Sequence, residues 1–347
     1  MEKAENNRVL YFDVLNILAI IAVIALHHNG LVHHFQDSRA WRESLVVECA
    51  FYWAVPVFLM VSGATLMPYR ERYSTAVFMK KRLSRVVIPW LFWSIVVVIW
   101  AVYTGQLDPD SFTPLYLADL ILNTGGPNAL SRYWFIPSII GIYLAMPVYS
   151  AVKDKRELLW YVVILNFIFV SLSGPIKLWT GFRWNISIPV TGTVLIFPLL
   201  GYLLHTSAIP LKARISAYLL GIFGLLFRFF YTYVHSIRAQ ATDTSIKGYQ
   251  VFHSVFLAVA VFILVRQIPW ERLFSPRFRR ILSQVAACSF GIYLIHSLVM
   301  YYEQKFLGLS YTSRKWRILC VPLTYLLSLG ITFCIRKIPK LGKALMG

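Results

Sequence analysis

The 347-residue chain is 58% hydrophobic with a mean hydropathy of +0.62. Only 14% of it is charged, against about 25% in soluble domains, which excludes a water-soluble fold. The net charge of +19, from 34 Lys and Arg against 15 Asp and Glu, sits in short clusters between long apolar runs. That distribution excludes a nucleic-acid binder and points to a polytopic membrane protein. An aromatic share of 16%, including 11 Trp, suits interfacial belts, and Tyr133 and Trp134 read as such belt residues.

A bilayer span needs about 20 mostly apolar residues. Ten runs qualify: 9–30, 44–67, 86–104, 133–151, 158–176, 187–205, 215–235, 249–266, 282–303 and 317–335. The first follows Lys3 and Arg8 as a signal peptide would. It lacks a small-residue cleavage site and is read as a retained span. The expected architecture is therefore an all-α integral membrane protein of about ten transmembrane helices, forming a single domain over 1–347. Under alternating topology one set of connectors carries 22 Lys and Arg and the other 11. The richer set is cytoplasmic, and it includes both termini. The longest connector, Tyr103 to Tyr133, contains an amphipathic piece, Phe112 to Leu122, that reads as an interfacial helix. The four cysteines, Cys49, Cys288, Cys320 and Cys334, fall inside apolar runs and read as small buried hydrophobes.

Polar groups inside spans are costly and mark function. In the first run Asp13, Asn16 and His27 share a face. Asp13 and His27 are roughly 21 Å apart along the axis and serve different ends of a site. One end gathers Asp13, Asn16, Ser62, Lys81, Arg82 and Arg85. The other gathers His27, Glu48, Arg228 and His296. Lys81, Arg82 and Arg85 have the spacing of one helical surface and suit phosphate oxygens, or else they anchor the span as any cytoplasmic base would. His27 is either a general base whose tautomer Glu48 holds, or an interfacial histidine with its tip in water. Ser289, Tyr293 and His296 line one face, as site residues or as interhelical glue. Arg228 reads as the partner of Glu48 or the lining of a wet cavity. The pairs His27/His28 and His33/His34 lack the helical spacing of zinc ligands, so no metal is expected.

The run FDVLNILAIIAVIALHH, with Asp13 and His27, resembles the opening of the membrane-bound acyltransferase 3 family, except that Asn16 stands where the family carries Arg. VPVFLMVSGATL, FMKKRLSRVVIPW, YWFIPSIIGIYLAMP and SFGIYLIH resemble its later motifs in the same order, and together they cover essentially the whole chain. The resemblance implies a ten-span core that moves an acyl group, here acetyl, from cytoplasmic acyl-CoA to a hydroxyl of an extracytoplasmic glycan or lipid-linked sugar. It also implies a multi-pass protein of the cell (plasma or inner) membrane, with acyl-CoA as donor substrate and no permanently bound cofactor. The donor would lie along Asp13, Asn16, Ser62, Lys81, Arg82 and Arg85. His27 would act on the acceptor or carry the acyl group, with Glu48 beside it, and Tyr293 and His296 would hold the oxyanion. The departure at Asn16 removes a charge and a guanidinium fork, which leaves room for a divergent donor or a non-catalytic accessory subunit. A transporter or flippase of a glycan or small anion would use the same two polar clusters as gates.

Overall fold

The computed structural model describes residues 9–339 and 341–347. Lys3 and Arg8, counted above as cytoplasmic bases, lie outside the described residues. Among the described residues every regular element is helical. Six helices are long and apolar enough to cross a membrane, or up to seven if the bent pair Pro276–Ala286 and Ser289–Leu307 is one span. The shorter apolar helices Ile196–Thr206, Phe252–Gln267 and Cys320–Arg336 occupy the remaining three predicted runs.

The outer surface explains the composition. The long helix Leu211–Ala239 turns Leu219, Phe223, Leu226 and Phe230 outward, and Ile95 and Ile99 of Ile88–Tyr103 do the same. Continuous apolar surface on this scale is unsustainable in water and matches a lipid-facing wall. Within the wall, Leu10–His28 lies at the centre and packs against Ala54–Leu66, the Phe252–Gln267 and Ser289–Leu307 helices, and Cys320–Arg336. Cys49, Cys288 and Cys320 are buried as expected, whereas Cys334 is exposed on the outward side of the last of these helices. The Phe112–Leu122 piece folds as a helix over Pro114–Leu122.

Three of the predicted runs contain breaks that matter. The run 44–67 is two helices, Arg39–Phe51 and Ala54–Leu66. Pro56 has no N–H to offer the carbonyl of Tyr52, so the helix opens there and restarts. The run 86–104 follows a π-helical turn at Leu83–Val87, which shifts the angular register of Arg85 away from Lys81 and Arg82. The run 282–303 bends by 56° between Ala286 and Ser289.

The tightest crossing is between Ala54–Leu66 and Ile196–Thr206. A Cβ on Gly63 would fall 2.0 Å from the Pro198 carbonyl oxygen, and one on Gly201 would fall 1.9 Å from that of Met60. Only glycine lets the backbones approach this closely, a familiar device where helices pack without water to drive them together. Gly63→Ala and Gly201→Ala should each cost about 1–3 kcal/mol or more through forced separation. Gly141→Ala, which meets nothing within 4 Å, should leave the melting temperature in detergent unchanged or higher.

Candidate active site

Two cavities meet inside the bundle. The first, about 270 Å³, is lined by Asn16, Ser62, Arg85, Tyr143, Ser289 and Tyr293 among apolar neighbours. The second, about 560 Å³, is lined by His27, Glu48, Tyr52, Arg132, Trp134, Lys247, Tyr249 and Tyr293. Val23, Val55, Phe135 and Tyr293 wall both, so the two volumes are neighbours across one constriction. A third space of about 530 Å³ adjoins the second, sharing Leu26, His27, His33 and Arg132.

The helix breaks build this interior. The bend at Ala287 turns Pro276–Ala286 aside, so that Ala286, Ala287 and Ser289 become cavity wall. Ser289 Oγ is buried and makes no hydrogen bond within the described residues, which leaves it available to a ligand. Ser62 is fixed there by the Gly63 crossing. Of the three basic residues expected to share one surface, only Arg85 lines the cavity. Arg82 lies 5.6 Å from the Tyr143 ring centroid, just behind the wall. Lys81 lies 3.8 Å from that of Tyr73. The π turn is the physical reason for this divergence, since a simple 3.6-residue helix would have kept them together. Asp13 is buried, accepts a hydrogen bond of 2.6 Å from Ser283 Oγ, and stands beside the cavity without lining it.

At the other end His27 Nδ1 and His296 Nε2 are 2.7 Å apart, with the rings nearly parallel and 4.9 Å between centroids. His296 Nδ1 is 2.7 Å from the Tyr293 carbonyl oxygen. A carbonyl only accepts, so the single proton of a neutral His296 sits on Nδ1 and Nε2 carries the lone pair. His27 must then donate from Nδ1, which leaves its Nε2 as a lone pair with no hydrogen bond among the described residues, on a side chain that lines the cavity. This is the arrangement of a base oriented by a neighbour. The partner that sets the tautomer is His296; Glu48, predicted for that task, turns instead to Arg228. Tyr293 donates its hydroxyl proton to the Arg132 carbonyl at 2.5 Å. In this structure that proton and the His296 Nδ1 proton are both engaged by carbonyls.

Glu48 and Arg228 form a buried ion pair at 3.3 Å, and Arg228 also lies over the Tyr52 ring, 3.3 Å from its centroid. The four clustered histidines scatter: His28 bonds to Thr324 Oγ1 at 2.8 Å, His33 approaches Lys247 Nζ at 3.5 Å, and His34 faces the Tyr311 ring. Tyr133 and Trp134 are not belt residues. Tyr133 is fully buried and donates to the Leu294 carbonyl, and Trp134 stacks on Tyr249, because the chain enters the Phe135–Ala151 helix from inside the bundle. Sequence reading also passed over Arg132, Lys247 and Tyr249. The available signal was position: Arg132 is the only Lys or Arg between 104 and 152, and Lys247 and Tyr249 flank a glycine just before a span.

An all-helical bundle with membrane-spanning helices thus encloses two adjoining cavities, one lined by His27 and the other by Arg85. The sequence matches the acyltransferase 3 family model, described as an acyltransferase domain, over residues 9–336, and the chain belongs to that family. No curated protein and no solved structure matches it.

The Glu48–Arg228 pair carries a testable consequence. Arg228→Leu should cost about 3–5 kcal/mol by stranding a buried carboxylate. The double variant Glu48→Leu/Arg228→Leu should recover most of that loss, as read from thermal unfolding in detergent.

Proposed function

We propose that this membrane acyltransferase is an O-acyltransferase that carries an acyl group, acetyl, from cytoplasmic acyl-CoA to a hydroxyl of an extracytoplasmic glycan or lipid-linked sugar. The supporting observation is the pair of adjoining cavities, one reaching Arg85 and the other the His27 base. In this reading the chain spans the cell membrane ten times with both termini in the cytoplasm. The three short apolar helices and the bent pair complete the count. Arg85 meets the phosphates of the donor, and Arg82 behind the wall and Lys81 outside it add positive charge that draws the donor in. Asn16, Ser62 and Ser289 border the thioester arm, and Asp13 braces the first helix behind them. Asn16 replaces the family's Arg with an amide that still offers two donors and an acceptor.

Chemistry then falls at the constriction. His27 Nε2 takes the proton from the acceptor hydroxyl as its oxygen attacks the thioester carbonyl. The carbon–sulfur bond breaks, and the thiolate leaves with the proton that His27 returns, giving CoA–SH and the ester. His296 acts as a positioning residue that holds His27 Nδ1–H.

The test is release of free CoA from acyl-CoA by the protein in nanodiscs, with and without glycan acceptor, paired with mass spectrometry of ester-linked acyl groups on the product. Acceptor-dependent CoA release with one acyl mass added is expected. Movement of an unmodified glycan with no CoA release would establish the transporter reading instead. His27→Ala should lower kcat by about 10²–10⁴-fold. His296→Phe should lower it by a smaller factor and His296→Gln, whose oxygen can accept from His27 Nδ1–H, should restore part of the loss. Arg85→Ala should raise KM for acyl-CoA with little change in kcat.

A further inference from the structure

Between the Glu48–Arg228 ion pair and the constriction runs a continuous stack. Arg228 covers one face of Tyr52. Tyr52 stacks on Tyr249 with centroids 4.2 Å apart and planes at 14°, and Tyr249 stacks on Trp134 at 5.4 Å and 12°. The ladder ends at Trp134: Phe135 meets it edge-on at 6.4 Å, and among the described residues no second ring stacks on it. The helix break at Tyr52 places the first ring, the loop before Phe252–Gln267 the second, and the start of the Phe135–Ala151 helix the third. Tyr52, Tyr249 and Trp134 all line the 560 Å³ cavity that contains His27, a volume in the range of about 300–1,000 Å³ typical of small-ligand sites.

The charges of that cavity are unbalanced. Glu48 is its one acidic lining residue, and it is paired with Arg228. Arg132 and Lys247 also line the cavity, and among the described residues neither forms an ion pair with a carboxylate; there the Arg132 side chain reaches only Met300 Sδ, at 3.5 Å, and Lys247 only His33. Burial holds the Lys247 amine below its usual pKa, and an anion beside it would favour its charged form. The adjoining space adds His34 and, among its described lining residues, no acid. A flat, polarisable indole face beside hydrogen-bonding groups such as the Gln250 amide suits the C–H face of a sugar ring. Two unpaired cations at the same wall suit a carboxylate on that ring.

We propose that the Trp134–Tyr249–Tyr52 ladder is the acceptor subsite and that its ligand is an acidic saccharide, the ring stacked on Trp134 and its carboxylate held by Lys247 and Arg132. This rests on the acyltransferase reading and deepens it by naming the acceptor class. The experiment is binding of a panel of uronate-containing disaccharides and their carboxyl-reduced neutral counterparts to the full chain in nanodiscs, read by saturation-transfer NMR and tryptophan quenching. At least one acidic disaccharide should bind about tenfold more tightly than its reduced counterpart. Trp134→Ala should lose about tenfold in affinity for both, with Trp134→Phe retaining most of it. Lys247→Gln should abolish the preference for the acid, and Lys247→Arg should keep it. Equal binding of acidic and reduced forms, no binding by any disaccharide, or unchanged binding by Trp134→Ala would overturn the proposal. CoA release with the same panel separates the two readings. Acylation of neutral sugars alone overturns the acidic subsite and leaves the transferase standing. Acid-selective binding without CoA release keeps the subsite and overturns the transferase.

Discussion

Inside an apolar bundle a polar group has no water to fall back on, and the placement of the charged and imidazole groups at the centre of this protein follows from how they find partners. The His27–His296 contact is the central case. Its geometry requires the Tyr293 carbonyl to fix one proton, which fixes the next, and so leaves one imidazole nitrogen of His27 bare in the cavity. The Glu48–Arg228 pair and the Asp13–Ser283 bond obey the same rule at other points of the bundle. Polar atoms left without partners are costly, and Ser289 Oγ, one of several, stands at the wall of the inner cavity.

The helix breaks supply the space in which those groups meet. An uninterrupted bundle of straight spans would pack its interior solid. Here Pro56 interrupts one span, a π turn shifts a second, and a bend turns a third aside. The close crossing at Gly63 and Gly201 packs two of the helices backbone to backbone. The same breaks separate residues that a regular helix would have grouped, which is why Lys81, Arg82 and Arg85 end against three different surroundings.

Both cavities carry cationic side chains. Arg85 stands at one mouth and Arg132 with Lys247 at the other, while the shared wall between is formed by Val23, Val55, Phe135 and Tyr293. In the proposed acyltransferase reading, an anionic donor is drawn to the Arg85 end and the acceptor to the other.

The amino-acid sequence by itself determined the helical membrane class, the family and the polar residues worth attention, because hydropathy and the penalty for intramembrane charge are properties of single residues and short windows. It placed Asn16, Ser62, Arg85, His27, Glu48 and Tyr293 on what proved to be the walls of two joined cavities. It could not assign partners. Whether His27 turns to Glu48 or His296, whether Tyr293 supports or donates, and whether Trp134 faces lipid or the interior depend on helix rotation, which a break of one or two residues changes by tens of degrees. Tyr52, Tyr249 and Trp134 are separated by long stretches of chain and become a ladder only when three helix ends converge. That convergence is a fact of tertiary packing, and no local pattern in the chain encodes it.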